Sequence, residues 1–295
     1  MDTRERFLDA AITEPSVQPV ETIIDAHTHI GQVRVDALPV SPSRLVEYMN
    51  AHGVDQAVVH PLVSPLSTSH YVTTRDVLSA VASYPDRLIP FCSVDPRMYY
   101  RWGKDRYAAV IREYVELGAR GFGELKCDLP LDHEYMHVLY EICADEGLPV
   151  LIHIDSVCCT DAVGLPAVES LLQQYPGVDF VFHAPGWWAH ISGDVEQIGG
   201  YPDGPVEPGG RCDALLGTYD NCWADFSMTS GFNALTRDEI YGETFLRRHH
   251  ESLLFGSDYL QPGQSIMQFG FFSEFDLEPY QWEQICSKNI RSILA

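Results

Sequence analysis

The chain has 295 residues, of which 45% are hydrophobic and 11% aromatic, enough apolar material for one large core. Its 42 acidic against 19 basic residues leave a net charge of −23, which excludes nucleic acid as a partner because phosphate binding needs a basic footprint. No apolar run approaches the roughly 18 residues of a membrane span, and the start MDTRERFLDAAITEPS has neither a signal-peptide core nor a transit character, so a cytoplasmic protein without membrane contact is expected.

Residues 1–21 read as a loose N-terminal arm. Beyond them, short apolar runs rich in β-branched and aromatic residues read as strands. They are TIIDAHTHI from Thr22, QAVVHPL from Gln56, LIPFCSV from Leu88, GFGELK from Gly121, PVLIHI from Pro149, DFVFHAP from Asp179, CWADFS from Cys222 and LLFGSDYL from Leu253. Most starts are spaced by about one βα unit, roughly 30 residues. Between them lie helical patterns, such as Tyr107, Val110, Ile111 and Tyr114 before Gly118, and Met136, Leu139, Ile142 and Cys143 before Gly147. A last helix carries Trp282, Ile285, Cys286 and Ile293 on one face.

Eight strands alternating with helices predict a parallel sheet closed into a single-domain (β/α)8 TIM barrel over residues 1–295, with a doubly wound open sheet as the alternative. The longest interval holds GGYPDGPVEPGG, residues 199–210, a loop insertion by its glycine and proline density. The eight cysteines are scattered and carry no CxxC pattern, so they read as free structural thiols, the adjacent Cys158 and Cys159 included.

In such barrels the chemistry gathers at the C-terminal ends of the strands. Those ends carry His27 and His29 on one strand face, Glu124 with Lys126, then His153, His183 and Asp258. Burying five polar strand ends on one rim is costly without a shared purpose. Imidazole and carboxylate donors without thiolates suit a catalytic divalent transition metal, Zn first, with Mn, Fe or Co as alternatives. Such an ion acidifies water and polarises a carbonyl. Alternation in GFGELK puts Glu124 and Lys126 on the same face, and the charge of an ion favours Glu124 as the inner residue. Lys126 is then a cation for a substrate carboxylate, with an ion pair to Glu124 as the plain alternative. Arg237, in the segment after the seventh strand, is a second candidate clamp for substrate, against a role at a helix terminus beside Asp238.

The motifs DAHTHIG, GLPVLIHI, FVFHAPG and LLFGSDYL, spread from about Ile23 to the C-terminus, resemble the amidohydrolase superfamily, in particular its amidohydrolase-2 (amidohydrolase-related) branch. The resemblance implies that His27, His29 and Asp258 hold one metal ion and that His153 is a further ligand. It gives His183 either a second ion or the role of an unligated catalytic histidine, and makes Asp258 the base that takes a proton from water. Family members bridge two ions at strand four by a glutamate or a carboxylated lysine, or hold one ion without a bridge, so the count is one or two. The implied function is hydrolysis of an amide, ester or lactone bond in a small molecule. The alternative is non-oxidative decarboxylation or hydration of a small carboxylic acid. A homo-oligomer is compatible with this reading.

Overall fold

The apolar runs form strands close to where their β-branched residues lie. The computed structural model describes residues 3–13, 20–64 and 70–295. Its strands are β1 (Ile24–Thr28), β2 (Gln56–Val59), β3 (Leu88–Pro90), β4 (Phe122–Leu125), β5 (Leu129–Pro130), β6 (Val150–His153), β7 (Cys159–Thr160), β8 (Phe180–His183), β9 (Cys222–Asp225) and β10 (Leu253–Leu254). All eight sequence-predicted strands are present. The two further strands, β5 and β7, pair only with each other, on the rim past β4 and β6. At two residues each they are too short to leave an alternating signature.

β1, β2 and β3 form one parallel ladder, and β4, β6, β8, β9 and β10 another. Both seams between them are bridged, Cys92 to Phe122 and Thr28 to Tyr259. Ala26 N donates to Phe255 O and Gly123 N to Cys92 O, each at 2.9 Å. The ring of eight is therefore closed, the (β/α)8 barrel expected from the strand count.

The barrel interior is a small apolar cluster of Ile24, Ala26, Val58, Phe91, Leu151, Val181 and Leu254, plugged below by Ile290 and Ile293 of the C-terminal helical stretch. Strand periodicity then places the site. Leu151 and Val181 point inward, so two residues later His153 and His183 do too, one layer higher. β1 pairs with β2 through a register shift between Asp25 and Thr28, and past it the inward positions are His27 and His29.

The expected loose arm is different where it is described. Residues Thr3–Thr13 form a helix, and Phe7 is fully buried. Its ring meets Phe232 and Phe271 edge-on at 5.5 Å and lies 5.4 Å from Phe275. Arg6 adds ion pairs to Glu239 and Glu274. Phe7, Ala10 and Ala11 stand at i, i+3 and i+4, a short helical signal that the sequence offered, but the aromatic residues it docks against lie far along the chain and no local pattern names them. Residues 14–19 lie outside the described part. Residues 199–210 contain neither helix nor strand. The base of their loop is closed by Gly193 N donating to Glu207 O at 2.8 Å. Among the described residues, no helix is long and apolar enough to cross a membrane.

Candidate metal centre

His27 and His29 enter the barrel mouth with their ring tautomers set from behind. His27 Nδ1 lies 2.9 Å from Asp225 Oδ2, and His29 Nδ1 lies 3.0 Å from the carbonyl oxygen of His60. An ionised carboxylate and a carbonyl only accept, so both Nδ1 atoms carry the proton and both Nε2 atoms present lone pairs. Those two Nε2 atoms face each other at 3.2 Å. Two lone pairs at that distance repel unless a proton or a cation lies between them. Asp258 Oδ1 closes the group, 3.2 Å from His29 Nε2 and 3.7 Å from His27 Nε2. Its backbone is left-handed, φ 49°, a region aspartate tolerates.

A second imidazole pair sits beside the first. His153 Nε2 is 3.1 Å from Asp155 Oδ2, and His183 Nδ1 is 3.2 Å from Ser227 Oγ. The atoms left facing inward, His153 Nδ1 and His183 Nε2, are 2.9 Å apart. Glu124 stands between the two pairs. Its Oε1 lies 2.8 Å from His153 Nδ1 and 3.0 Å from His183 Nε2, while Oε2 lies 3.4 Å from His29 Nε2 and 3.8 Å from His27 Nε2. Facing ring nitrogens with carboxylate oxygens around them form a donor set that, once deprotonated, fits divalent ions.

Charge in the mouth is held by mutual compensation. Burial opposes ionisation of Glu124, but the Lys126 charge and the histidine hydrogen bonds outweigh it and hold the carboxyl well below its usual range. Burial likewise opposes the charge on Asp258, and His27 and His29 more than offset it. Burial works against the Lys126 ammonium too, yet Glu124 and Asp258 leave it more basic than usual. Its Nζ is 3.5 Å from Glu124 Oε1.

Gly123 gives Glu124 its position. Its φ is +136°, and a Cβ there would lie 2.6 Å from Leu151 O, so no other residue fits between β4 and β6.

Six of the sequence-derived ligand candidates, His27, His29, Glu124, His153, His183 and Asp258, thus converge, with Lys126 beside them. Arg237 does not join them. Its Nη1 reaches the carbonyl oxygens of Asp203, Gly204 and Pro205 at 3.3, 3.3 and 3.4 Å. The guanidinium straps the 199–210 loop through Nη1, and its buried Nε and Nη2 meet no partner among the described residues; what the structure shows at this position is a loop contact in place of the expected substrate clamp. Four residues escaped the sequence reading: Asp225, Asp155, Ser227 and Asp25. Asp25 accepts from Tyr48 Oη, Ser257 N and Ser257 Oγ at 2.9, 2.9 and 2.5 Å, pinning β1 against the end of β10. Tyr48 is delivered by the helix Pro42–His52, which Ser41 caps by accepting from Arg44 N. Asp225 ends a strand as His153 and His183 do, and that signal was available in CWAD.

A closed parallel barrel with imidazoles and carboxylates gathered at the C-terminal ends of its strands is the architecture of metal-dependent barrel enzymes. A family model described as Amidohydrolase matches residues 24–294, and the chain belongs to that family. No curated protein matches it in sequence. Among solved structures it is similar to an uncharacterised TIM-barrel protein of Bordetella bronchiseptica, with 17% identity, a TM-score of 0.66, and 92% of this chain and 98% of that one covered. It is also similar to a Pseudomonas putida protein assigned as a 2-pyrone-4,6-dicarboxylic acid hydrolase, with 21% identity, a TM-score of 0.61, and 92% and 97% covered. A third is the 5-carboxyvanillate decarboxylase of Novosphingobium aromaticivorans, complexed with manganese, with 17% identity, a TM-score of 0.53, and 85% and 79% covered. At these identities the likeness is one of fold.

Proposed function

We infer that the protein is a metal-dependent hydrolase that cleaves an amide, ester or lactone bond of a small molecule, at a centre where Glu124 would be shared between two divalent ions. The observation that carries this reading is the placement of Glu124, one carboxylate oxygen toward each pair of imidazole nitrogens. His27, His29 and Asp258 would hold one ion, and His153 and His183 the other. Zinc is the first choice, and manganese is the alternative supported by the manganese-bound decarboxylase of the same fold. Ions so placed supply Lewis acidity, which acidifies water and polarises a carbonyl oxygen.

The chain's own residues do the rest. Asp258, held as a carboxylate, takes the proton from the attacking water and returns it to the leaving group. Lys126, a buried cation at the same rim, pairs with a carboxylate on the substrate. The same cation favours a second reading, loss of carbon dioxide from, or hydration of, a small aromatic or unsaturated carboxylic acid. The test is elemental analysis of the purified protein together with a screen of lactones, amides, esters and aromatic carboxylates. Ring opening or amide cleavage without carbon dioxide supports the hydrolase, and carbon dioxide release supports the decarboxylase. Full turnover by protein stripped of metal removes both.

A further inference from the structure

Asp258 stands in a backbone conformation that an aspartate tolerates rather than prefers. Its φ is 49°, in the left-handed region that a residue with a Cβ keeps only where its surroundings over-determine it. The backbone fixes the Cα–Cβ direction, and the carboxylate then swings only about χ1 and χ2. Whatever holds the Asp258 backbone therefore aims Oδ1, which lies 3.2 Å from His29 Nε2 and 3.7 Å from His27 Nε2.

Two fasteners act on it, one on each side. On the upstream side the chain is tied to β1. Asp25 Oδ1 accepts from the amides of His27 and Ser257 at 3.1 and 2.9 Å, and the Asp258 amide donates to His27 O at 2.8 Å. The strand ends that carry His27 and Asp258 thus share one fully buried carboxylate. On the downstream side Gln264 closes the turn. Its Nε2 donates to Asp258 O at 2.8 Å, and its Oε1 accepts from Leu260 N at 3.0 Å. Turning this amide over would set its oxygen against a carbonyl and its NH2 against an N–H, so its orientation is fixed by its partners. Among the described residues no backbone N–H reaches Asp258 O, which leaves that carbonyl to Gln264. The Gln264 side chain is only half-buried, so replacing it opens no cavity in the core.

We propose that Gln264 is a positioning residue for Asp258: its amide, working against the Asp25 and Ser257 tie on the other side, holds the left-handed backbone and so aims the carboxylate at the metal held with His27 and His29. The inference rests on the reading of Asp258 as a metal ligand and base, and it holds for one ion or for two. It adds a residue outside the ring of ligands that sets how Asp258 meets the ion.

The experiment loads chelator-stripped protein with cobalt(II) and reads its d–d absorption, a signature of ligand geometry, together with the cobalt dissociation constant from chelator competition. Gln264→Met keeps the length of the side chain and removes both hydrogen bonds. Gln264→Glu keeps the bond from Leu260 N and loses only the donor to Asp258 O. Both variants shift the d–d bands toward those of Asp258→Ala and weaken cobalt binding by about tenfold, the lower end of the range for residues that orient metal ligands. The stripped variants unfold within about 5 °C of stripped wild type, the scale of one or two lost hydrogen bonds in a chain of this size. A larger fall accompanying the band shift makes Gln264 a stability residue and overturns the aiming role. Wild-type bands and affinity in either Gln264 variant, with altered bands in Asp258→Ala, overturn the proposal and leave Asp258 standing as a ligand. Wild-type bands in Asp258→Ala itself overturn the ligand reading, and the proposal falls with it.

Discussion

His27 and His29 bring their Nε2 atoms to 3.2 Å with both Nδ1 protons already committed, one to Asp225 and one to the His60 carbonyl. Neither ring is free to turn its proton inward without losing a buried hydrogen bond, and such a loss costs about 1–3 kcal/mol. The pair is built for a cation. His27→Ala and His29→Ala are each expected to lose bound metal, measured as metal per chain after dialysis. Unchanged metal content in both variants refutes the assignment.

Glu124→Gln removes the charge shared between the two compartments while keeping the shape. Metal content should fall from near two equivalents toward one, and the loss of activity should exceed that of Lys126→Ala. A carboxylated Lys126 detected by mass spectrometry or carbon-13 NMR, with Glu124→Gln fully active, would reverse the two roles.

Asp258→Asn should preserve the fold and lower kcat by about two to four orders of magnitude, the usual contribution of a positioned general base. The amide can lie near the ion but cannot take up the proton. Turnover within a few-fold of wild type excludes Asp258 as the base.

Acidity should compete with metal. In the metal-free protein, burial opposes protonation of His27 and His29, yet Asp258 with Asp225 or Glu124 raises both above an ordinary histidine. A raised folded-state pKa stabilises the chain below the unfolded value near 6.5, and that contribution is lost as pH rises through the folded value. Asp258 and Glu124, both lowered, contribute above about pH 4 and fade as pH falls. The metal-free centre is thus held by imidazolium–carboxylate pairs at mildly acidic pH and loses them in alkali. Since ligands bind metal only when deprotonated, the rise in Tm on adding zinc should be larger near pH 8.5 than near pH 5.5. An equal or opposite rise contradicts this.

Phe7→Ala should destabilise the protein by about 3–5 kcal/mol, the usual cost of a large aromatic cavity. The ring is buried among Phe232, Phe271 and Phe275, away from the metal centre, so metal content should be unchanged. A denaturant midpoint equal to wild type shows that the helix Thr3–Thr13 contributes no stability to the barrel.

The order of the eight barrel strands, the barrel, and the convergence of His27, His29, Glu124, Lys126, His153, His183 and Asp258 on its rim were legible in the sequence because they follow from local rules. A βα unit has a characteristic length, a strand alternates its faces with period two, and the residue two past Leu151 or Val181 must share its face. Those rules placed His153 and His183 on the mouth, and alternation in GFGELK turned Glu124 and Lys126 the same way. What the tertiary structure alone decided is which atoms of those residues are free to act. The partners that fix the ring tautomers, Asp225 for His27 and the His60 carbonyl for His29, sit at the ends of other strands, 198 and 31 residues away, and no local periodicity encodes such contacts. Arg237 looked like a substrate clamp while its neighbours were unknown, but the loop carbonyls of residues 203–205 fold against it and accept from its Nη1. Residue type and face are properties of the chain near each position; hydrogen-bond partners and charge compensation exist only once the closed ring brings distant strand ends within about 3 Å of one another.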